Sequence, residues 1–189
     1  MAEGDRERWD ASHRAAGPAN PPAPEWLAAL DAELPRAGRA LDVAAGTGRV
    51  ARFWAARGLH TLAVDVSPEG LRLARAAAAR EGLALETLAL DLERDPLPAG
   101  PFAAISVFHY LQRDLFPKLA ALLAPDGVLA CEIATVRNLE RHAKPSARFL
   151  LQEGELARLV GPLALEHSTE GWTNEGACVA RVLARRALA

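Results

Sequence analysis

Two cysteines, two lysines, one tyrosine and one methionine in 189 residues leave several kinds of chemistry without material. Cys131 and Cys178 lie far apart in apolar runs, without CxxC spacing, so they read as buried thiols and not as a disulfide. With only five scattered histidines besides, no ligand set for zinc or another metal can be drawn. An excess of one charge is missing too. A net charge of −2 gives neither a basic footprint for nucleic acid nor a stripe for an anionic membrane surface. No apolar run approaches the about 20 residues that span a bilayer. The charged opening Met1-Ala2-Glu3-Gly4-Asp5-Arg6 lacks an apolar signal core, so a cytoplasmic location is expected. Apart from Lys118 and Lys144, the basic residues are all arginine, which genomic base composition and heat adaptation would produce alike.

What is present is apolar bulk and alternation. Half the residues are apolar, enough for one domain over 1–189 with a substantial core. A polar helix is expected over 5–16, with Trp9 and His13 one turn apart, then a Pro-rich extended linker over 17–24 and a second helix over 25–34. Strands are expected near 40–44, 60–65, 85–90, 102–107 and 127–133, with helices near 47–57, 68–81 and 112–123 between most of them. Such alternation gives a parallel, right-handed, doubly wound α/β sheet. The pattern then changes: a polar, basic loop over 137–148, a helix over 153–159, and two strands near 163–167 and 177–183 with no helix between them. The expected fold is a seven-stranded, mostly parallel sheet with an antiparallel last strand. Residues 1–35 would supply N-terminal helices acting as a lid, and 36–189 the core.

The most informative segment is Ala40 to Arg49. The apolar strand residues Leu41 and Val43 run into Ala44-Ala45-Gly46-Thr47-Gly48, and a helix follows with Val50, Phe53 and Trp54 at helical spacing. Strand, small-residue turn and helix is how an α/β sheet presents a nucleotide-like cofactor. Gly46 to Ala51 also fits the dinucleotide pattern G-x-G-x-x-A, so an NAD(P) site is a rival reading. Asp42 discriminates between them, because it would repel a pyrophosphate and attract the ammonium of S-adenosylmethionine. Two further strands end in acids: Asp65, placed for the ribose hydroxyls, and Asp91, placed for the adenine amino group.

With these segments the chain resembles the class I S-adenosylmethionine-dependent methyltransferases, and within them the small tellurite-resistance-type enzymes. The resemblance covers nearly the whole chain. It rests on Arg8-Trp9-Asp10, Leu41 to Arg49, Val64-Asp65-Val66-Ser67, Phe108-His109-Tyr110-Leu111, Leu123-Ala124-Pro125-Asp126-Gly127, and Phe149 to Leu156. It implies a Rossmann-like methyltransferase fold with S-adenosyl-L-methionine as cofactor. The cofactor contacts it implies are Asp42, Ala44, Gly46, Gly48, Asp65, Val66, Asp91, Leu92 and Val107, with Trp9 as a cover. Two positions depart from the family pattern. Ala44 stands where the loop often has its first glycine, and Ala103 follows Phe102 where an acid is usual.

Methyl transfer from a sulfonium brings its own leaving group, so no compulsory catalytic triad is expected. His109, where the resemblance puts the incoming nucleophile, reads either as a general base or as a histidine bonding a loop carbonyl. Tyr110 is a substrate contact or a packing residue. Arg137 and Arg141, with His142, Lys144 and Arg148, form a basic loop that attracts an anionic substrate or is simply solvated. The expected partner is a small-molecule acceptor, soft or anionic, bound to a monomer or homodimer. A non-catalytic regulator that keeps the cofactor site stays open as the alternative from another class.

Overall fold

The computed structural model describes residues 3–18 and 21–188. The chain opens with helix α1 (Glu3–Ala16) and a short α2 (Glu25–Ala29). It then alternates through β1 (Arg39–Val43), α3 (Arg49–Ala56), β2 (His60–Asp65), α4 (Pro68–Arg80), β3 (Glu86–Ala89), β4 (Phe102–Phe108), α5 (Leu115–Leu122) and β5 (Leu123–Ala134). Helix α6 (Glu155–Leu159) and strands β6 (Ala164–Trp172) and β7 (Cys178–Arg185) complete it. The seven strands lie in the order β3-β2-β1-β4-β5-β7-β6. Strands β1 to β5 pair in parallel, while β7 runs antiparallel to both β5 and β6. The antiparallel last strand expected from the sequence is therefore an inner strand.

The order follows from burial. In β1 and β4 nearly every side chain is buried, because helices cover both faces of the central sheet. One face packs Leu41, Val43, Ile105 and Val107 against Phe116 and Leu119 of α5. The other packs Ala40, Ala104 and Leu183 against Trp54 of α3 and Leu27 of α2. Ser67 caps α4, its hydroxyl accepting the Gly70 amide at 3.0 Å with Pro68 in the first turn. Both cysteines are buried free thiols.

Several boundaries differ from the sequence reading, among them the end of β6, which runs on to Trp172 instead of stopping near 167. The second helix stops at Ala29 and continues as a 3₁₀ turn over Asp31–Glu33. Strand β5 begins at Leu123, which pairs with Phe102. The Pro125-Asp126-Gly127 turn is absorbed as an irregularity before Val128 pairs with Ala104. The basic loop contains two short 3₁₀ turns, Val136–Glu140 and Ala147–Phe149. No helix among the described residues is long and apolar enough to cross a membrane.

Candidate active site

A cavity of about 300 Å³ opens at the carboxyl ends of β1, β2 and β4. Parallel strands point their carbonyl ends to one rim, and the β1–α3 turn forms the cavity floor there. Asp42 and Ala44 to Thr47 line that floor. Ala44 adopts φ 55°, a left-handed conformation that an alanine pays for by about 1 kcal/mol, so this departure from glycine carries a conformational cost.

Asp42 is 2% exposed and sits at the end of a buried relay. Trp54 Nε1 donates to Ser106 Oγ at 3.0 Å, and Ser106 Oγ donates to Asp42 Oδ1 at 2.6 Å. Burial pushes the Asp42 carboxyl up to about 7, while the Ser106 hydroxyl and the Ala51 amide pull it down and the Asp65 charge adds to the rise.

Asp65 closes β2 and grips the turn. Its Oδ2 accepts the Gly46 amide and its Oδ1 the Ser67 amide, both at 2.8 Å. Desolvation raises its pKa, and the two amides oppose that rise. Val66 lines the cavity next to it, and its carbonyl accepts Arg6 Nε at 3.3 Å.

Helix α1 lies over this rim. Asp10 Oδ1 accepts the Glu69 amide at 3.0 Å and the Ser67 hydroxyl, so the helix is tied to the start of α4. Gly70 makes the approach possible, since a Cβ there would lie 2.9 Å from His13 Cδ2 and 3.1 Å from the Gly46 carbonyl. Trp9 and His13 stack with ring centroids 5.9 Å apart, and both line the cavity. The linker is held from below: Pro21 and Pro22 carbonyls accept Arg52 Nη2 at 3.1 Å and Arg49 Nε at 2.7 Å.

Of the residues singled out from the sequence, Trp9, Asp42, Ala44, Gly46, Asp65, Val66, Leu92, His109 and Tyr110 come together around this cavity. Gly48, Asp91, Val107, Arg137 and Arg141 are not among its lining residues. Gly48 opens α3 at φ 76°, where a Cβ would stand 2.7 Å from Ala74 Cβ, so its place is between two helices. Asp91 caps the turn after β3, accepting the Glu93 amide at 3.0 Å. Val107 is 2% exposed within the core beneath the rim. Arg137 pairs with Glu140 at 3.0 Å, and the Arg141 guanidinium lies 3.8 Å from the Trp172 ring centroid. These two charges are spent on their own segment and on the β6–β7 hairpin.

The other end of the cavity is built by the turn after β4. His109 has φ 56°, and its amide donates to the Glu132 carbonyl at 2.8 Å. Its Nε2 stands 3.6 Å from Glu132 Oε1. Desolvation at the cavity wall lowers the His109 pKa, the Glu132 carboxylate raises it, and Arg49 and Arg181 lower it further. The ring keeps 60% of its side-chain surface open to water, which limits that desolvation. Tyr110 Oη donates to Gln112 Oε1 at 2.7 Å, and burial raises its pKa.

His13, expected beside Trp9 on the first helix, lines the cavity, as does Arg49, which had not been expected there; Glu132 and Arg181, also unforeseen, stand behind His109 and are not among the lining residues. Glu132 and Arg181 did carry a signal, each being a charge inside an otherwise apolar strand run.

The sequence and the fold resemble those of known proteins. Residues 40–127 match a family described as a methyltransferase domain. A malonyl-[acyl-carrier protein] O-methyltransferase of Enterobacter lignolyticus is 34% identical over 158 residues, covering 73% of this chain and 61% of that enzyme. An uncharacterised protein of Mycobacterium tuberculosis is 46% identical over 70 residues, covering 37% of this chain and 26% of its own length. The chain thus spans less than two thirds of the curated relatives it matches. Among solved structures, one from work on the conversion of a disulfide bond into a thioacetal group during echinomycin biosynthesis superimposes with a TM-score of 0.72. It is 20% identical to this chain, and the match covers 97% of this chain and 92% of that one.

Proposed function

We propose that the chain is a class I S-adenosylmethionine-dependent methyltransferase, an enzyme moving the methyl of S-adenosylmethionine to a small-molecule heteroatom acceptor, soft or anionic when it attacks. The observation that carries this reading is the pair of buried carboxyls, Asp42 and Asp65, on the wall of one cavity with the small-residue turn between them.

The donor set fits the cofactor. Asp42 is a buried acid held by a neutral hydroxyl and pushed up to about 7, and an α-ammonium against it would restore the ionised form. Each Asp65 oxygen holds one backbone amide and keeps a lone pair for a ribose hydroxyl. A dinucleotide pyrophosphate on the same turn would meet the Asp42 charge. When bound, S-adenosylmethionine supplies an electrophilic methyl and its own sulfur leaving group.

The remaining work falls to positioning and dehydration, which together contribute on the order of 7 kcal/mol or more to a transfer of this kind. Helix α1 acts as the lid, with Trp9 and His13 excluding water from the rim, whereas Leu27 of α2 belongs to the core. Arg49 brings a cation to the cavity wall and supports an acceptor that is negative when it attacks. This role replaces the one expected of Arg137 and Arg141.

Calorimetric titration with S-adenosylhomocysteine and with NAD tests the reading. Binding of the first without the second is expected, and NAD binding alone overturns it. A panel of thiols, phenols, carboxylates and chalcogen oxyanions then separates an enzyme from a non-catalytic regulator. An enzyme releases S-adenosylhomocysteine with at least one class.

A further inference from the structure

Beside the cavity, two charged groups from two strands stand in line behind one imidazole. Glu132 of β5 is 6% exposed and lies between His109, in the turn after β4, and Arg181 of β7. Its Oε2 accepts Arg181 Nε at 2.7 Å, leaving Oε1 at 3.6 Å from His109 Nε2. Glu132 and Arg181 are register partners across the antiparallel β5–β7 pair, so the sheet itself fixes where the carboxylate stands. The backbone fixes the imidazole. His109 takes φ 56° and bonds its amide to the carbonyl of the same Glu132. A histidine held in the left-handed region marks a position that the surrounding structure over-determines. Phe108 meets the ring edge-on at a centroid distance of 6.4 Å, and Trp26 stacks on Phe108 in turn.

We propose that Glu132 is the positioning residue that makes His109 the proton acceptor of methyl transfer, and that the acceptor is therefore a group that carries a proton, a thiol or an acidic hydroxyl, and not a ready-ionised carboxylate. This rests on the methyltransferase reading above. The acceptor's X–H bond breaks with its electron pair left on X, and the proton passes to the His109 imidazole and then to solvent. The pair on X becomes the new X–C bond, while the methyl's former bonding pair stays with the departing sulfur. The imidazolium formed in that step stands beside Glu132, whose second oxygen is already neutralised by Arg181. A separation of 3.6 Å is long for a hydrogen bond, and catalytic contacts of this kind shorten when charge develops. A carboxylate acceptor has no proton to give and would leave this arrangement without a task.

The charged groups around the ring are Glu132 of β5, Arg181 of β7 and Arg49 of α3, with Glu175 of the β6–β7 turn acting on both arginines. They give the test opposite signs. The His109 midpoint is followed by NMR in the cofactor-free protein over residues 1–189, assigned with His109→Gln. Glu132→Gln removes the attractive charge and should lower the midpoint by about one pH unit. Arg181→Met removes a repelling charge and should raise it. A merely structural role for the pair would loosen both variants and move both midpoints upward. That result, or an unmoved midpoint in Glu132→Gln, overturns the positioning role.

S-adenosylhomocysteine binding to both variants is measured in parallel and should stay within a factor of two of the parent. If the parent itself fails to bind, the methyltransferase reading fails, separately from the dyad. The acceptor class is read from S-adenosylhomocysteine release with benzenethiol, phenol and benzoate. Thiol or phenol ahead of benzoate is expected, and benzoate ahead of both overturns that half of the proposal.

Discussion

The Asp65 carboxylate at the end of β2 accepts the Gly46 amide at 2.8 Å across 19 residues of chain, so the second strand holds the turn that follows the first. The same side chain steadies the start of α4 through the Ser67 amide. One acid thus links turn, strand and helix at the rim of the cavity.

Asp65→Ala should cost both stability and cofactor affinity. Each hydrogen bond to an ionised acceptor is worth about 1.5–3 kcal/mol, and two amides lose theirs. Denaturant unfolding should register the loss. Calorimetry should show S-adenosylhomocysteine binding weakened by about tenfold or more, the equivalent of about 1.4 kcal/mol. Asp65→Asn, which keeps one carbonyl acceptor, should lie between.

Asp42 should make the free protein less stable as pH rises. Its folded pKa is raised from 3.8 to about 7, so between these values the folded state holds a proton that the unfolded chain releases. The contribution is full below pH 4 and is lost as pH passes 7. Asp42→Asn should flatten this part of the stability–pH curve, measured by urea unfolding at pH 5 and pH 8. A bound ammonium favours the ionised acid, so S-adenosylhomocysteine should bind more tightly at pH 8 than at pH 6, with proton release detectable by calorimetry in buffers of different ionisation enthalpy.

Gly48→Ala should separate packing from ligand contact. The new methyl meets Ala74 at 2.7 Å, and the backbone is at φ 76°. We expect a stability loss of about 1–3 kcal/mol in urea unfolding. Among molecules that remain folded, S-adenosylhomocysteine affinity should be nearly unchanged. A selective loss of affinity would return Gly48 to the cofactor.

Asp10→Ala should loosen the lid without harming the sheet. It removes the acceptor for the Glu69 amide and the Ser67 hydroxyl. S-adenosylhomocysteine should dissociate several-fold faster in stopped-flow measurements, while the thermal transition stays cooperative. Deleting residues 1–16 should exaggerate the same effect and raise the Michaelis constant.

The first two strands were legible because each is an apolar run that stops at a small-residue turn or an acid, as at Leu41–Val43 and Leu62–Asp65. The late pair was legible as two strands with no helix between them. Pairing choices were less so. Leu123 joins β5 because Phe102 lies opposite it, which no local signal at Pro125-Asp126-Gly127 reveals. The glycine pattern could not separate Gly46, which faces the cavity, from Gly48, which lets two helices touch. Charge in the basic loop was visible, but its partners were not. Arg141 finds Trp172, and Glu132 finds Arg181 only through the register of β5 with β7.

Because β7 lies between β5 and β6, the chain makes its outer strand before the inner one that must carry it. Strand β6 has no place in the sheet until β7 has been synthesised and docked on β5. Neither the Glu132–Arg181 pair nor the setting it provides for His109 exists before that moment. The half that builds the cavity floor, β1 to β4, draws on earlier sequence and can order itself first. A nascent or partly unfolded molecule would thus form the floor of the cavity before Glu132 and Arg181 stand behind His109. The setting of that imidazole is the last part of the site to be built.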